Sequence, residues 1–153
     1  MLTLATIGYE GATVQGFLAA LAEARIEMLV DVRAVAMSRR PGFAKTRLAG
    51  NLDEAGIAYL HLRGLGTPAD GRAAARAGRH QEMHEIFREH MVTPVAQTDL
   101  ATLVSIVNGG KRVALMCFET NPEHCHRSLV VEAMRDHVEM QVRHLFSVEE
   151  DPD

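Results

Sequence analysis

Two cysteines near the C-terminal end of the chain have a spacing that could support thiol chemistry. Cys117 follows the apolar run at residues 113–116, and Cys125 precedes a segment whose apolar residues recur at helical spacing. A thiol at the start of a helix has a lowered pKa because the helix end carries partial positive charge, so Cys125 is the predicted nucleophile. Cys117 is either its resolving partner or a buried strand residue.

Polar side chains next to these cysteines complete the candidate site. Glu119 and His126 can move protons, while Arg127 and Ser128 begin the predicted helix and can bind an anion through the guanidinium and the free amides. These residues predict a thiol-dependent transferase or hydrolase in which Cys125 attacks a small, anionic, electrophilic substrate. The sequence gives no indication of a cofactor.

Further candidates lie at the ends of three other predicted strands. The carboxyl ends of parallel strands meet at one edge of a sheet, where ligands bind. Asp31 and Arg33 end the second strand, and alternation directs both to the same side. Arg33 either binds an anion or forms a structural pair with Asp31. The other substrate-binding candidates are Tyr9, Glu10, Ser38, Arg39 and His61.

Two other functions remain open at this point. The first is metal binding, with Cys117, Cys125 and His126 as ligands, although their spacing fits no standard zinc ribbon. The second is a nucleic-acid-binding or nucleotide-binding module, whose binding would weaken steeply with salt. It would use residues 33–47, which contain no acidic residue and carry Arg33, Arg39, Arg40, Lys45 and Arg47. The formal net charge of −4 disfavours a protein that coats nucleic acid.

Length and composition limit the organisation of the chain. With 153 residues, of which 47% are hydrophobic, the chain fits one domain over residues 1–147, followed by an acidic tail at 148–153. The apolar start at residues 1–7 is too short for a membrane span or a signal peptide, so we expect a cytoplasmic protein with no membrane partner. In that compartment we expect both cysteines to be reduced rather than joined in a structural disulfide.

The elements that must position these residues alternate between strands and helices. This alternation predicts an α/β three-layer sandwich, with a mostly parallel sheet of about five strands and helices on both faces. Strands are predicted at residues 2–7, 28–32, 57–62, 113–116 and 141–145, and helices at 13–24, 45–54, from 71, 81–90, 95–107 and 127–137. The prediction puts Cys117 at the carboxyl end of a strand and Cys125 at the opening of the next helix.

Several short motifs occur in an order that is found in one protein family. They are Thr-Ile-Gly-Tyr-Glu-Gly at 6–11, Asp-Val-Arg at 31–33, Ser-Arg at 38–39 with Phe43, the run 56–61 leading into Leu65-Gly66, and Met-Cys-Phe-Glu at 116–119 with Cys-His-Arg-Ser at 125–128. Over residues 2–145 the chain resembles the bacterial and archaeal proteins known as domain of unknown function 488. The resemblance implies a cytosolic α/β domain whose shared polar residues converge on one site.

The chain departs from this family pattern at two places. The family usually has a proline between the Asp-Val-Arg motif and the serine, where this chain has Val35 and Ala36. It also tends to carry a tyrosine immediately before the methionine that matches Met91, where this chain has His90. We therefore expect no role for a phenol at position 90.

Overall fold

The computed structural model describes residues 2–148, apart from the side chain of Glu123, and within them the chain forms five strands and six α-helices. The strands are β1 Leu2–Gly8, β2 Met28–Asp31, β3 Ala58–His61, β4 Val113–Cys117 and β5 Met140–Leu145. The helices are α1 Val14–Glu23, α2 Lys45–Glu54, α3 Ala69–Arg76, α4 His80–Met91, α5 Pro94–Asn108 and α6 Arg127–Arg135. Short 3-10 turns occur at Arg63–Leu65 and Pro122–His124.

The strands form one parallel sheet in the order β3-β2-β4-β1-β5. At the carboxyl edge of the sheet, Gly8 lies opposite Cys117, and Asp31 lies between Met116 on one side and His61 on the other. The register therefore brings the ends of the four strands that carry candidate residues to one edge. The predicted α/β fold with a parallel five-stranded sheet is confirmed.

Helices cover both faces of the sheet, as the sequence pattern predicts. Helices α1 and α2 pack on one face through buried residues such as Phe17 and Leu48, while α3, α4, α5 and α6 pack on the other face through residues such as Phe87 and Leu103. All five residues of β4 are buried because this central strand has a helical layer on each side. Its continuous apolar run thus delivers Cys117 to the sheet edge.

The helix starts differ in a way that matters for the candidate site. Thr13 caps α1 by accepting a hydrogen bond from the amide of Gly16, as expected for a threonine at this position. No side chain caps α6, and the amide of Arg127 instead points to the sulfur of Cys125 at 3.5 Å. The amides of Ser128 and Leu129 donate to the carbonyls of Cys125 and His126, so the start of α6 directs the amide of Arg127 alone among these three to a sulfur of the candidate site.

The C-terminal end of the described chain packs on the first helix. The amide of Val148 donates to the carbonyl of Gly16. Apart from Val148, the predicted acidic tail lies outside the described residues. Between residues 2 and 148, no helix is both long and apolar enough to cross a membrane.

Candidate functional site

A cavity of about 450 Å³ opens at the carboxyl edge of the sheet. A volume of this size is sufficient for a small-molecule ligand. Its wall contains seven residues that the sequence singles out as site candidates: Tyr9, Arg33, Ser38, Cys117, Glu119, Cys125 and His126. Residues from β1, β4, the loop after β2 and the start of α6 therefore meet at one place.

The two cysteines in the wall of this cavity are joined by a disulfide. They lie eight residues apart in the chain, and the 3-10 turn at Pro122–His124 returns the chain so that both sulfurs reach the same point. The expectation of two reduced cysteines is corrected by this finding.

His126 is a buried, neutral imidazole beside Cys125. Its Nε2 lies 2.7 Å from the carbonyl oxygen of Val32, and because a carbonyl can only accept a hydrogen bond, Nε2 carries the proton. In the neutral ring Nδ1 is then unprotonated, and it lies 3.7 Å from the sulfur of Cys125. Burial lowers the pKa of His126 to about 4, despite the opposing effect of the Val32 hydrogen bond. The ring is therefore placed to accept a proton from a Cys125 thiol.

Arg127 is completely buried and lies outside the cavity wall. Its guanidinium donates through Nη2 to the carbonyl of Thr120 at 2.9 Å and through Nη1 to the carbonyl of Glu119. Nη1 also donates to the sulfur of Cys117 at 3.1 Å. Burial lowers the pKa of Arg127 to about 10. The predicted anion-binding role thus has no support from its position, and the side chain instead fixes the loop after β4.

Arg33 is held in one orientation by a buried network. The carboxylate of Asp31 accepts hydrogen bonds from the Nε, the Nη2 and the backbone amide of Arg33 at 2.8–3.1 Å. The Nη1 of Arg33 donates to the hydroxyl of Tyr9 and to the carbonyl of Phe43. Tyr59 donates a further hydrogen bond to Asp31. Burial disfavours the charged guanidinium, but Asp31 outweighs this effect and the pKa of Arg33 is raised. Arg33 is therefore a fixed, permanent cation in the cavity wall.

Glu119 is the acidic residue among the cavity-lining candidates. Burial, followed by the negative charge of Glu10, raises the pKa of its carboxyl above the ordinary value. Interactions with His124, His80 and Arg127 act in the opposite direction but do not cancel this rise. A carboxyl with a raised pKa is suited to donating a proton to a leaving group.

The remaining sequence-predicted residues do not line the cavity. Ser128 donates to the carbonyl of Cys125, and His61 contacts the carbonyl of Arg33 through Nε2. Glu10 and Arg39 are exposed, and Asp31 is covered by Arg33. The structure thus gives Ser128, His61 and Asp31 supporting contacts, while it leaves Glu10 and Arg39 beside the site.

Two arginines of the cavity wall were missed by the sequence analysis. Arg72 and Arg76 lie one turn apart on α3 and both line the cavity, with His124 and the exposed side chains of Phe118 and Met37 nearby in the wall. The signal for the arginines was their four-residue spacing in a helix that follows the third strand. Arg33, Arg72 and Arg76 contribute positive charge to the cavity wall, and Glu119 is the carboxylic acid in the same wall.

The metal-binding alternative is not supported. Among the described residues no group of three His, Cys, Asp or Glu side chains could hold a metal ion. Cys117 and Cys125 bind each other, and Nε2 of His126 is occupied by the carbonyl of Val32. The structure therefore gives this ligand set no support, because the two sulfurs that it needs are bonded to each other.

The basic stretch at residues 33–47 does not form a continuous surface. Arg33 is buried, and Arg40 is bound through Nε to the carbonyl of Ala12. Arg39, Lys45 and Arg47 are exposed. Because Arg33 faces the cavity rather than solvent, the contact surface that the sequence predicts for nucleic acid is reduced.

Comparison with known proteins identifies one family. The model described as Domain of unknown function DUF488 matches residues 13–134, which include both cysteines and all three cavity-lining arginines. No curated protein and no solved structure gives a significant match to the chain.

Proposed function

The chain belongs to the domain of unknown function DUF488 family, and from the contents of its cavity we propose that it is a thiol-dependent enzyme that reduces a small anionic molecule at an electrophilic sulfur. The single observation that carries the proposal is the Cys117–Cys125 pair in the wall of a cavity that also contains Arg33, Arg72 and Arg76. A sulfur electrophile is favoured because two-cysteine chemistry that ends in a disulfide takes two electrons from the dithiol.

The first step is attack by Cys125. Its thiol proton passes to Nδ1 of His126, 3.7 Å away, and its sulfur attacks one sulfur of a substrate disulfide. The substrate S–S bond breaks, a Cys125–substrate disulfide forms, and one substrate thiolate leaves. The proton held by His126 or by Glu119 neutralises this leaving thiolate.

The second step is attack by Cys117 on the sulfur of Cys125. Cys117 attacks as its thiolate, its proton having been released to solvent, the mixed disulfide breaks, the second substrate thiolate leaves, and the Cys117–Cys125 disulfide forms. The substrate has then gained two electrons and the protein has lost two. A dithiol reductant returns the protein to the reduced form by the same exchange chemistry in reverse.

The charge of the cavity supports an anionic substrate. Arg33 is fixed by Asp31 and cannot lose its charge near neutral pH, while Arg72 is anchored to the carbonyl of Thr67 at 2.9 Å. The exposed side chains of Phe118 and Met37 add an apolar surface to the same wall. Such a wall suits an anion that also carries an apolar or aromatic group.

The test compares two aromatic disulfides that differ in charge. Pre-reduced protein is mixed with dianionic dithiobis(nitrobenzoate) or with neutral dithiodipyridine, and the release of the coloured thiol is followed. We expect the anionic reagent to react faster, and we expect this preference to fall roughly tenfold in Arg72→Gln/Arg76→Gln protein and at high salt. The double substitution Arg88→Gln/Arg79→Gln, at exposed arginines of the neighbouring helical segment that do not line the cavity, is the matched control.

Two outcomes would overturn the proposal. One is a ratio of the two rates in the unmodified protein equal to the ratio that a small free thiol gives with the same reagents, since the positive wall would then not select an anion. The other is an unchanged rate in Cys125→Ser protein, because the attacking sulfur would then not be that of Cys125. Circular dichroism spectra of each variant are compared with that of the unmodified protein to verify that the variant is folded.

A further inference from the structure

Arg127 is a buried cation without a negative partner. Its side chain has no exposed surface, and among the described side chains no carboxylate lies within salt-bridge distance of its guanidinium. Its Nε has no hydrogen-bond partner, and its Nη atoms contact two neutral carbonyls. The charge of Glu119 acts on this guanidinium without contacting it and does not cancel the effect of burial, so a counter-charge in direct contact would stabilise Arg127.

The atom next to this cation is the sulfur of Cys117. Nη1 of Arg127 lies 3.1 Å from it, whereas the sulfur of Cys125 receives an amide of the backbone at 3.5 Å and faces the unprotonated Nδ1 of His126. In the disulfide the sulfur of Cys117 carries no charge. On reduction it becomes the atom that can supply the missing negative charge.

We propose that Arg127 holds Cys117 as a thiolate in the reduced protein and so prepares it as the resolving nucleophile. Arg127 is thereby a positioning residue for the reaction proposed above, on which this inference rests for its role in turnover. The Cys125 thiol keeps its proton, which it shares with Nδ1 of His126.

The reduction then has a defined stoichiometry. Two electrons and one proton enter the disulfide, the S–S bond breaks, and the products are a Cys117 thiolate and a Cys125 thiol. With a dithiol as reductant, one of its two protons goes to Cys125 and the other is released to solvent. A dithiol form without the Arg127 contact would keep both protons near neutral pH, since an unperturbed thiol has a pKa of about 8.5.

Other charged groups around Cys117 do not provide the same stabilisation. Glu119, two residues further along, disfavours a thiolate, and the hydrogen bonds of Arg33 go to Asp31, Tyr9 and Phe43 rather than to the sulfur of Cys117. His126 is neutral because burial lowers its pKa. Among the other cavity-lining groups, the guanidinium groups of Arg72 and Arg76 also favour a thiolate. Arg127 is the cation in hydrogen-bonding contact with the sulfur.

The direct test is the pKa of Cys117 in Cys125→Ser protein, read from the pH dependence of thiolate absorbance and of alkylation of the Cys117 peptide. Burial alone raises a thiol pKa, so the sign of the change is informative. We expect a pKa at least one unit below about 8.5, which corresponds to a tenfold or greater increase in the thiolate fraction. A pKa at or above about 8.5 would overturn the inference.

Substitutions of Arg127 separate its charge from its structural role. Arg127→Lys keeps the charge and should leave the Cys117 pKa low, whereas Arg127→Met should raise it above about 8.5. Arg135→Met, on the exposed side of the same helix, should leave it unchanged. A low pKa that persists in folded Arg127→Met protein would also overturn the inference.

A measurement on the unmodified protein remains if these variants do not fold. The midpoint potential of the Cys117–Cys125 couple is measured against pH near neutrality. One proton per two electrons changes the reduction equilibrium about tenfold per pH unit, or about 30 mV, whereas two protons would change it about twice as steeply in mV. The steeper slope contradicts the role of Arg127.

The two proposals can fail separately. A low Cys117 pKa in a protein that shows no preference for anionic disulfides would refute the proposed substrate class and leave the role of Arg127 intact. A preference for anionic disulfides together with an ordinary Cys117 pKa would refute the role of Arg127 and leave the proposed substrate class intact. Neither measurement depends on identifying the natural substrate.

Discussion

The buried imidazole of His126 should make the stability of this protein fall in mildly acidic solution. In the fold its pKa is lowered to about 4 because burial disfavours the charged ring, while its ordinary value is 6.5. Between these two pH values the unfolded chain binds a proton at this position and the folded protein does not. The contribution of His126 to stability is therefore fully present at pH values above the pKa of the unfolded state, and it is lost as the pH falls toward the pKa of the folded state.

The expected magnitude follows from the gap between the two pKa values. At about 1.4 kcal/mol per unit, the difference corresponds to about 3 kcal/mol of unfolding free energy lost on acidification through this range. The assay is urea-induced unfolding of the oxidised protein, repeated across the range. His126→Gln is the informative variant, since an amide can donate to the carbonyl of Val32 but does not titrate.

The difference between the two proteins isolates His126 from other titrating groups. The unmodified protein should lose about 3 kcal/mol more than the His126→Gln protein over the same range. His137→Gln, at an exposed histidine after α6, should retain the full pH dependence. Parallel curves for the unmodified and His126→Gln proteins would refute the reasoning, because the imidazole would then titrate equally in both states.

Two further stability predictions use matched variants and urea unfolding. Asp31→Asn should lower the free energy of unfolding by about 3–5 kcal/mol, because it leaves a buried guanidinium without its counter-charge. Glu132→Gln, at an exposed ion pair, should lower it by less than about 1 kcal/mol. Equal losses in the two variants would show that the buried pair stabilises the fold no more than the exposed one. Gly8→Ala should cost several kcal/mol, because its Cβ would collide with the backbone carbonyl of Glu119. Gly50→Ala, at an exposed position of α2 with open space around it, should instead increase the free energy of unfolding by about 0.5–1 kcal/mol. A tolerated alanine at position 8 would contradict the close approach of the Glu119 carbonyl.

The fold was predictable because each element carries its own local signal. The continuous apolar run of β4 indicates a strand that is covered on both faces, and Thr13 indicates the start of α1. Strand alternation with helices then requires a parallel sheet, which places Cys117 and Arg33 at one edge. These are properties of neighbouring residues and need no knowledge of tertiary packing.

The details of the candidate site were less predictable because they depend on packing between distant elements. Spacing indicates that Arg127 begins a helix, but the rotation that turns its side chain beneath the loop after β4 follows from tertiary contacts. Arg72 and Arg76 lie in an alanine-rich helix whose sequence does not specify which side faces the sheet edge. The pairing of Cys117 with Cys125 depends on the path of the intervening loop.

A trapping experiment distinguishes the attacking cysteine, Cys125, from the resolving cysteine, Cys117. Reduced Cys117→Ser protein is treated with one equivalent of dithiobis(nitrobenzoate) and analysed by mass spectrometry of its peptides. We expect a stable mixed disulfide on the Cys125 peptide and release of one thiol, whereas the unmodified protein should release two thiols and retain no adduct. An unmodified protein that keeps a stable adduct, or a Cys117→Ser protein that forms none, would contradict these roles.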